Sequence, residues 1–486
     1  MGRGGRLGFW WEAIRDVLEE PETWTALGIL AAFLASLGCS LHALLYKRRP
    51  YSAALWIVVC WSLPVAGPLL YWSFGINRVA RKARRRLRTV PNASSSRDLP
   101  VPEALLPLVR IGDQVGRHPL TAGNRFELLV DGDQAYPAML QAIAQATHSL
   151  GFMSYIFDDD EVSERFVEAL RDAASRGVQV RLLVDGIGAW GLGPRLQQTL
   201  QATGGRVAAF WPRGRYLKHP GLNLRNHRKI LVIDGRLGFT GGINISARHV
   251  SAPDGSSPRS RDVHFRVEGP VVAHLAQVFA EDWEMATGEV LKGNRWFPPL
   301  RPDGSMVARG IASGPDRTLG RLHSLLLGAI RTARTSLDIL SPYLIPDEAI
   351  LEALRTASRA GVRVRVLIPR RADHLFLSWA AQSYLPELVE AGVEVFQVPR
   401  EFLHGKLTIV DDCWVLLGSA NLDARSFRLN FEFNVEVYSP ELARDCLAYL
   451  ATWRERATRV SRRSLRQVPT GILLRNHFVK LFSPFL

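Results

Sequence analysis

His227-Arg228-Lys229-Ile230-Leu231-Val232-Ile233-Asp234 and His404-Gly405-Lys406-Leu407-Thr408-Ile409-Val410-Asp411 share one pattern, H-x-K-x4-D, 177 residues apart. Each runs on to a Gly-rich turn bearing an Asn, Gly241-Gly242-Ile243-Asn244 in the first case and Gly418-Ser419-Ala420-Asn421 in the second. The apolar run behind each Lys reads as a buried strand, on which His and Lys, two residues apart, face the same side. Asp234 and Asp411 complete the motif and are grouped with its catalytic residues, although their odd spacing near the strand's end points to a structural role or the closing of a turn. One such motif alone is weak, because a strand His beside a Lys is commonly a surface pair. Two copies with Gly and Asn at matching offsets make it a site.

The duplication extends outward from the motifs. Ala142-Ile143 to Ser149-Leu150 recurs as Ala329-Ile330 to Ser336-Leu337, and Arg176-Gly177-Val178 recurs as Ala360-Gly361-Val362. In the first copy, strand patterns at 126–130, 150–157 and 178–184 alternate with helical spacing at 137–146 and 162–174, with a turn at 131–133. A period near 180 residues is a duplicated domain rather than a solenoid repeat. The alternation predicts an α/β class, with residues 104–300 and 303–486 as two copies of one fold.

Two imidazoles converging on one point can divide a displacement, one attacking as nucleophile and the other protonating the leaving group. Lys229, Lys406, Asn244, Asn421 and Ser419 supply the positive, hydrogen-bonding surround that a phosphoryl group needs. No metal or cofactor is called for, since the lysines do the electrostatic work. Asp262 and Glu432 align between the copies, in Ser260-Arg261-Asp262-Val263-His264 and Asn430-Phe431-Glu432-Phe433-Asn434, and each is expected to hold one imidazole in the right tautomer. Asp158-Asp159-Asp160 reads as a helix cap rather than a metal cluster, and His249 and His264 as polar lining or packing. Cys39, Cys60, Cys413 and Cys446 form neither a disulfide framework nor a zinc-ligand spacing.

Of the 486 residues, 47% are hydrophobic and 22% charged, which excludes a mostly disordered chain. The net charge of +15 calls for an anionic partner, either nucleic acid or a membrane surface. Its distribution favours the membrane. Residues 24–46 and 51–77 contain no Asp, Glu, Lys or Arg, and each run meets the roughly 20-residue length of a bilayer-spanning helix. They predict a tight hairpin with spans about 24–46 and 51–75, the second kinked at Pro64 and Pro68. The first run is too long for a signal core and is followed at once by a second. Seven basic residues between Arg78 and Arg88 then place the bulk of the chain on the cytoplasmic side. Residues 1–88 read as a membrane anchor and 89–103 as a linker.

The paired motifs are similar to those of the phospholipase D superfamily, and the chain as a whole resembles the bacterial cardiolipin synthases of the two-span type. Arg48-Arg49-Pro50, Leu55-Trp56, Pro64, Gly67, Tyr71 and Phe74-Gly75 carry the likeness in the hairpin. Asn223 to Lys229, Ser341-Pro342-Tyr343, Pro346-Asp347, Gly418 to Asp423 and Leu481 to Pro484 carry it beyond. Gly242 stands where a Ser is common, and Ser260 where an aromatic is frequent. The resemblance implies two tandem phospholipase D-like domains in pseudo-twofold arrangement, each a mixed sheet flanked by helices. It implies a ping-pong reaction in which His227 attacks phosphatidylglycerol and releases glycerol, and His404 then activates a second phosphatidylglycerol to give cardiolipin. It also implies an enzyme of the inner (plasma) membrane, multi-pass, with cytoplasmic catalytic domains, an anionic lipid partner and no nucleic acid; the oligomeric state stays open. The alternative is a phosphodiesterase or nuclease of the same superfamily that uses water as acceptor. An inert lipid-binding scaffold is disfavoured because both motifs keep His and Lys.

Overall fold

The computed structural model describes residues 21–47, 50–75, 99–188, 194–210, 224–252, 254, 256, 259–316 and 318–483. The basic run at 78–88, most of the linker, Arg48, Arg49, Asn223 and Pro484 lie outside the described residues. Two units are present, an N-terminal hairpin and the body that follows it.

In the hairpin, Pro21–Tyr46 forms one 26-residue helix, about 39 Å long and enough to cross a ~30 Å hydrocarbon core. The second apolar run is not one helix. It forms Pro50–Ser62, breaks at 63–65 around Pro64, and continues as the short helix Ala66–Leu70 and a π-helical turn Tyr71–Gly75. Pro64 has no N–H to continue the ladder. Gly67 lets the chain fold back closely, since a Cβ there would lie 2.3 Å from the Val59 carbonyl oxygen. Small and polar groups join the pieces: Ser36 Oγ donates to the Cys60 carbonyl at 2.9 Å, Trp61 Nε1 to Ser40 Oγ at 3.1 Å, and His42 Nδ1 pairs with the Tyr71 hydroxyl at 2.7 Å. The large apolar side chains point outward, as in Ile29, Leu45 and Val58.

The repeat of motifs becomes a repeat of strand order. The first copy contributes β1 (Thr121–Val130), β2 (Ser149–Ser154), β3 (Gln179–Asp185), β4 (Arg206–Phe210), β5 (Arg225–Asn226), β6 (Ile230–Ile233), β7 (Leu237–Gly241), β8 (Ser260–Arg261) and β9 (Val263–Glu268). The second contributes β10 (Met306–Ser313), β11 (Ser336–Leu340), β12 (Arg363–Pro369), β13 (Glu394–Val398), β14 (Phe402–Leu403), β15 (Leu407–Val410), β16 (Trp414–Gly418), β17 (Asn430–Tyr438) and β18 (Thr458–Arg459). Outward from the centre the order is β1-β9-β7-β6-β2-β3-β4 on one side and β10-β17-β16-β15-β11-β12-β13-β18 on the other. The halves join through antiparallel β1 and β10, where Thr121 faces Ala308, so both copies share one sheet. Parallel pairs β2–β3 and β11–β12 are bridged by helices Glu161–Ser175 and Glu348–Arg359. Asp160 caps the first, accepting the N–H groups of Val162 and Ser163 at 3.1 and 3.0 Å, and Asp347 caps the second through the Ile350 N–H. Each helix buries one apolar stripe, such as Val162, Phe166, Leu170 and Ala173.

Two expectations change. β1 begins at Thr121 rather than 126, because its first residues pair with the other copy and need no alternating pattern. The helix Leu106–Val115, assigned by sequence to the first copy, buries Leu108 and Val109 with Leu322, Leu325 and Leu326 of the second. Arg309, fully buried, ties that helix down through Asp113 and Glu436, each at 2.6 Å.

Candidate active site

The two motif histidines stand directly after two-residue strands that cross between the copies. β5 of the first copy runs parallel to β17 of the second, with Asn226 opposite Phe431. β14 of the second runs parallel to β8 of the first, with Leu403 opposite Arg261. The His227 N–H donates to the Phe431 carbonyl at 2.9 Å, and the His404 N–H to the Arg261 carbonyl at 2.7 Å. Glu432 and Asp262 are the next residues along those partner strands. Each imidazole therefore meets the carboxylate of the opposite copy: His227 Nδ1 lies 3.0 Å from Glu432 Oε2, and His404 Nδ1 lies 2.6 Å from Asp262 Oδ2. A carboxylate on Nδ1–H leaves the Nε2 lone pair available.

The lysines complete each half. Lys229 Nζ donates to the His227 carbonyl at 2.8 Å; Lys406 Nζ donates to the His404 carbonyl and sits 2.8 Å from His404 Nδ1. His227, Lys229 and Lys406 are buried and His404 nearly so, and each imidazole also feels the other motif's lysine. Burial, joined by repulsion from Lys406, brings the Lys229 ammonium down to about 7. Burial likewise lowers Lys406. Burial and the neighbouring lysines lower both imidazoles against the pull of their carboxylates. For Glu432 burial is outweighed by His227, Lys229 and the Ser419 hydroxyl, and for Asp262 by Lys406 and His404, so both stay ionised.

The Gly-rich turns shape this floor. Gly241 and Gly418 adopt φ of +154° and +148°, and a Cβ at either would lie within 2.7 Å of the adjacent strand's backbone. The next position differs between the copies. Ser419 Oγ donates to Glu432 Oε2 at 2.5 Å, whereas a Cβ at Gly242 would sit 2.1 Å from Asp262 Oδ1. The shorter Asp262 takes the Val263 N–H at 2.8 Å instead of a hydroxyl. Between the motif His and Lys, Arg228 is buried, bonded to both oxygens of Asp282 at 2.7 Å and to the Glu432 carbonyl at 3.1 Å. Its counterpart is Gly405, where a Cβ would meet Leu340 at 2.6 Å.

Not every candidate lies with these groups. Asp234 and Asp411 cap turns at the far end of β6 and β15, both in the left-handed region. Asp234 accepts the N–H groups of Thr147, His148 and Ser149, and Asp411 those of Arg334, Thr335 and Ser336. The acidic residue of each motif thus joins strands, and its grouping with the catalytic residues does not follow from its place. Asn244 spends its Oδ1 on the Ile156 N–H at 3.1 Å, and Asn421 donates to Asp423 while its Oδ1 has no protein partner. His249 lies 6.3 Å from His404, ring to ring, and burial lowers it to about 4; His264 is buried nearby on β9.

Tyr155 was not singled out, yet its ring meets His227 edge-on at 4.9 Å and lies 5.3 Å below the Lys229 ammonium. Duplication carries no signal for it: Ser154-Tyr155-Ile156 at the end of β2 corresponds to Ser341-Pro342-Tyr343 after β11, both serines donating two residues ahead at 2.6 and 2.7 Å, so Pro342 stands opposite Tyr155.

The family described as "Cardiolipin synthase, PLD-like domain" matches residues 139–283 and 326–453, and "Phospholipase D-nuclease N-terminal" matches 34–75. Cardiolipin synthase of Geobacillus sp. (strain WCH70) is 33% identical over 455 residues, covering 91% of this chain and 90% of that protein. Cardiolipin synthase A of Pseudomonas fluorescens (strain Pf-5) is 35% identical over 479 residues, covering 94% and 98%. Among solved structures, phosphatidylserine synthase of Haemophilus influenzae Rd KW20 matches 78% of this chain and all of that one, with a TM-score of 0.62 at 14% identity, a likeness of fold. With two phospholipase D-like regions and full-length relatives of one kind, the chain belongs to the cardiolipin synthase family of enzymes.

Proposed function

We propose that the enzyme transfers a phosphatidyl group between two phosphatidylglycerol molecules, making cardiolipin and glycerol. His227 Nε2 attacks the phosphorus, the bond to the glycerol oxygen breaks, and His404 passes its Nε2 proton to that oxygen. The neutral His404 then takes the proton of a hydroxyl on the second phosphatidylglycerol. The resulting oxygen displaces His227, and the phosphorus–nitrogen bond breaks. Lys229 and Lys406 bind the phosphate oxygens, and the anion between them offsets the repulsion that, after burial, lowers both imidazoles. Glu432 and Asp262 hold the two rings. Asn244, Asn421 and Ser419 serve through the turns that shape the floor, and no cofactor takes part.

The crossed pairing of each imidazole with the other copy's carboxylate is the observation that carries this reading, for it equips two histidines alike at one place. The hairpin would cross the inner membrane twice, with the body cytoplasmic beside the anionic headgroups that are its substrate. Purified enzyme incubated with phosphatidylglycerol in detergent should yield cardiolipin and glycerol in equal amounts by mass spectrometry. Phosphatidic acid as the sole lipid product would leave the water-using phosphodiesterase in its place.

A further inference from the structure

The body carries an apolar face of its own, far in sequence from the hairpin. The C-terminal helix Thr470–Lys480 packs against helix Leu375–Gln382, inserting Val479 into the second copy's core beside Ala380 and Ala381. Arg475 stacks over Trp379 at 4.2 Å and fixes the pair. What the pair leaves outside is oily. Leu375 and Phe376 are 60% and 61% exposed at the start of one helix, Leu474 and Phe478 are 67% and 62% exposed along the other, and Leu481, in the turn that ends it, is 71% exposed. The last three, with Phe482, follow the i, i+4, i+7, i+8 spacing of a single helical stripe. Isolated exposed apolar residues are ordinary, but a stripe and a neighbouring tip together are not.

Two further observations say what covers this face. From Ala457 to Leu486 the chain has six Lys or Arg and no Asp or Glu; Arg370 and Arg371, shortly before Leu375, and Arg462, Arg463 and Arg466, shortly before the C-terminal helix, are all exposed. A protein partner would need an acidic, apolar surface, whereas an anionic bilayer offers both features everywhere. The face also borders the reaction centre. His404 lies 5.5 Å from the Phe402 ring, Phe402 lies 6.5 Å from Tyr343, and the Tyr343 hydroxyl donates to Asp373 at 2.5 Å. Asp373 stands two residues before Leu375.

We propose that Leu375, Phe376 and the stripe Leu474, Phe478, Leu481 and Phe482 form a docking surface that dips into an anionic bilayer and sets the mouth of the site against the lipid it draws on. The hairpin would hold the protein at the membrane, and this surface would orient the body. It rests on the reading of the site as acting on membrane phospholipid, so its test includes a measurement that needs no turnover.

An environment-sensitive fluorescent amino acid in place of Phe376, in the full chain reconstituted in phosphatidylglycerol–phosphatidylethanolamine nanodiscs, should be quenched by roughly half or more when the lipids carry nitroxides on their chains. The same label in place of Arg236, exposed in the turn at the far end of β6, should stay bright. In parallel, the double variants Leu375→Ser with Phe376→Ser, and Leu474→Ser with Phe478→Ser, should lose roughly tenfold of their turnover on bilayer phosphatidylglycerol. Both should stay within about twofold of the parent on short-chain phosphatidylglycerol dispersed as monomers. A label at 376 that lipid nitroxides do not quench, or that responds only to self-association of the protein, overturns the proposal. So do equal losses on bilayer and dispersed substrate in both double variants. Quenching without any turnover on phosphatidylglycerol would leave the surface standing and remove the proposed substrate.

Discussion

Asp262→Asn and Glu432→Gln each remove one buried negative charge and keep the side-chain shape, yet the structure predicts unequal outcomes. Asp262 uses Oδ1 for the Val263 N–H at 2.8 Å and Oδ2 for His404 Nδ1 at 2.6 Å. An Asn that keeps the Val263 bond must turn its NH2 toward His404, so Nδ1 becomes an acceptor and the proton moves to Nε2. The Lys406 ammonium, 2.8 Å from the same Nδ1, favours that wrong tautomer further. Loss of the correct tautomer in a carboxylate–imidazole pair costs about 10⁴ in kcat, so roughly 10³–10⁴ is expected, or about 4–5.5 kcal/mol of barrier. At Glu432, Oε2 serves His227 and Ser419 while Oε1 faces only the Asn430 amide, which can turn over. His227 Nδ1 also has the Ser419 carbonyl at 3.0 Å as a second acceptor. Glu432→Gln should therefore lose only roughly 10–10² in kcat. Glycerol release from phosphatidylglycerol micelles, beside thermal melts showing folded protein, measures both. A Glu432→Gln loss equal to or larger than that of Asp262→Asn, or an Asp262→Asn loss under tenfold, would refute the reasoning.

Other changes separate chemistry from scaffold. Gly242→Ser should drive Asp262 away from His404, because its Cβ would lie 2.1 Å from Oδ1, and lower kcat by roughly 10² or more; Ser419→Gly, removing one hydroxyl from Glu432, should lower it by about tenfold. Arg228→Met leaves buried Asp282 without its charged partner, keeping the Asn226 amide at 2.8 Å, and should destabilise the fold by about 3–5 kcal/mol in denaturant titrations, with part of that recovered by adding Asp282→Leu. Asp411→Asn should cost about 1–2 kcal/mol and leave kcat unchanged, since its oxygens bind backbone N–H groups and not substrate. Burial pushes the Asp411 carboxyl up, but the N–H groups of Ser336, Thr335 and Arg334 bring it below the ordinary value. Its contribution is thus present above pH about 4 and is lost as pH falls through the lowered folded value, so parent and variant stabilities should converge in acid.

The duplicated H-x-K-x4-D made the fold and the four central side chains readable, because duplication repeats strand order as well as residues. Asp262 and Glu432 were also readable as a matched pair, but not which imidazole each would meet. That depends on β5 and β14 crossing to the opposite copy, two-residue strands too short to leave any periodicity. The helix Leu106–Val115 was misplaced for a related reason, since its apolar stripe fits a core in either copy and only Arg309 decides. Asn244 and Asn421 read as phosphate ligands because they are polar at matching offsets, yet a turn also needs polar side chains there. The second apolar run met the length for a span, but Pro64 divides it. Tyr155 was missed because an aromatic at a strand's end reads as core and its counterpart in the second copy is Pro342.

Rapid acid-free quenching of the enzyme during turnover, followed by peptide mass spectrometry, tests the shared two-histidine centre most directly. A phosphatidyl adduct should appear on the peptide holding His227, vanish in His227→Ala, form and discharge roughly 10² or more slower in His404→Ala, and convert to cardiolipin in the parent when phosphatidylglycerol is chased in. An adduct that forms without His227, or one that His404→Ala discharges to cardiolipin at the parental rate, would contradict the account.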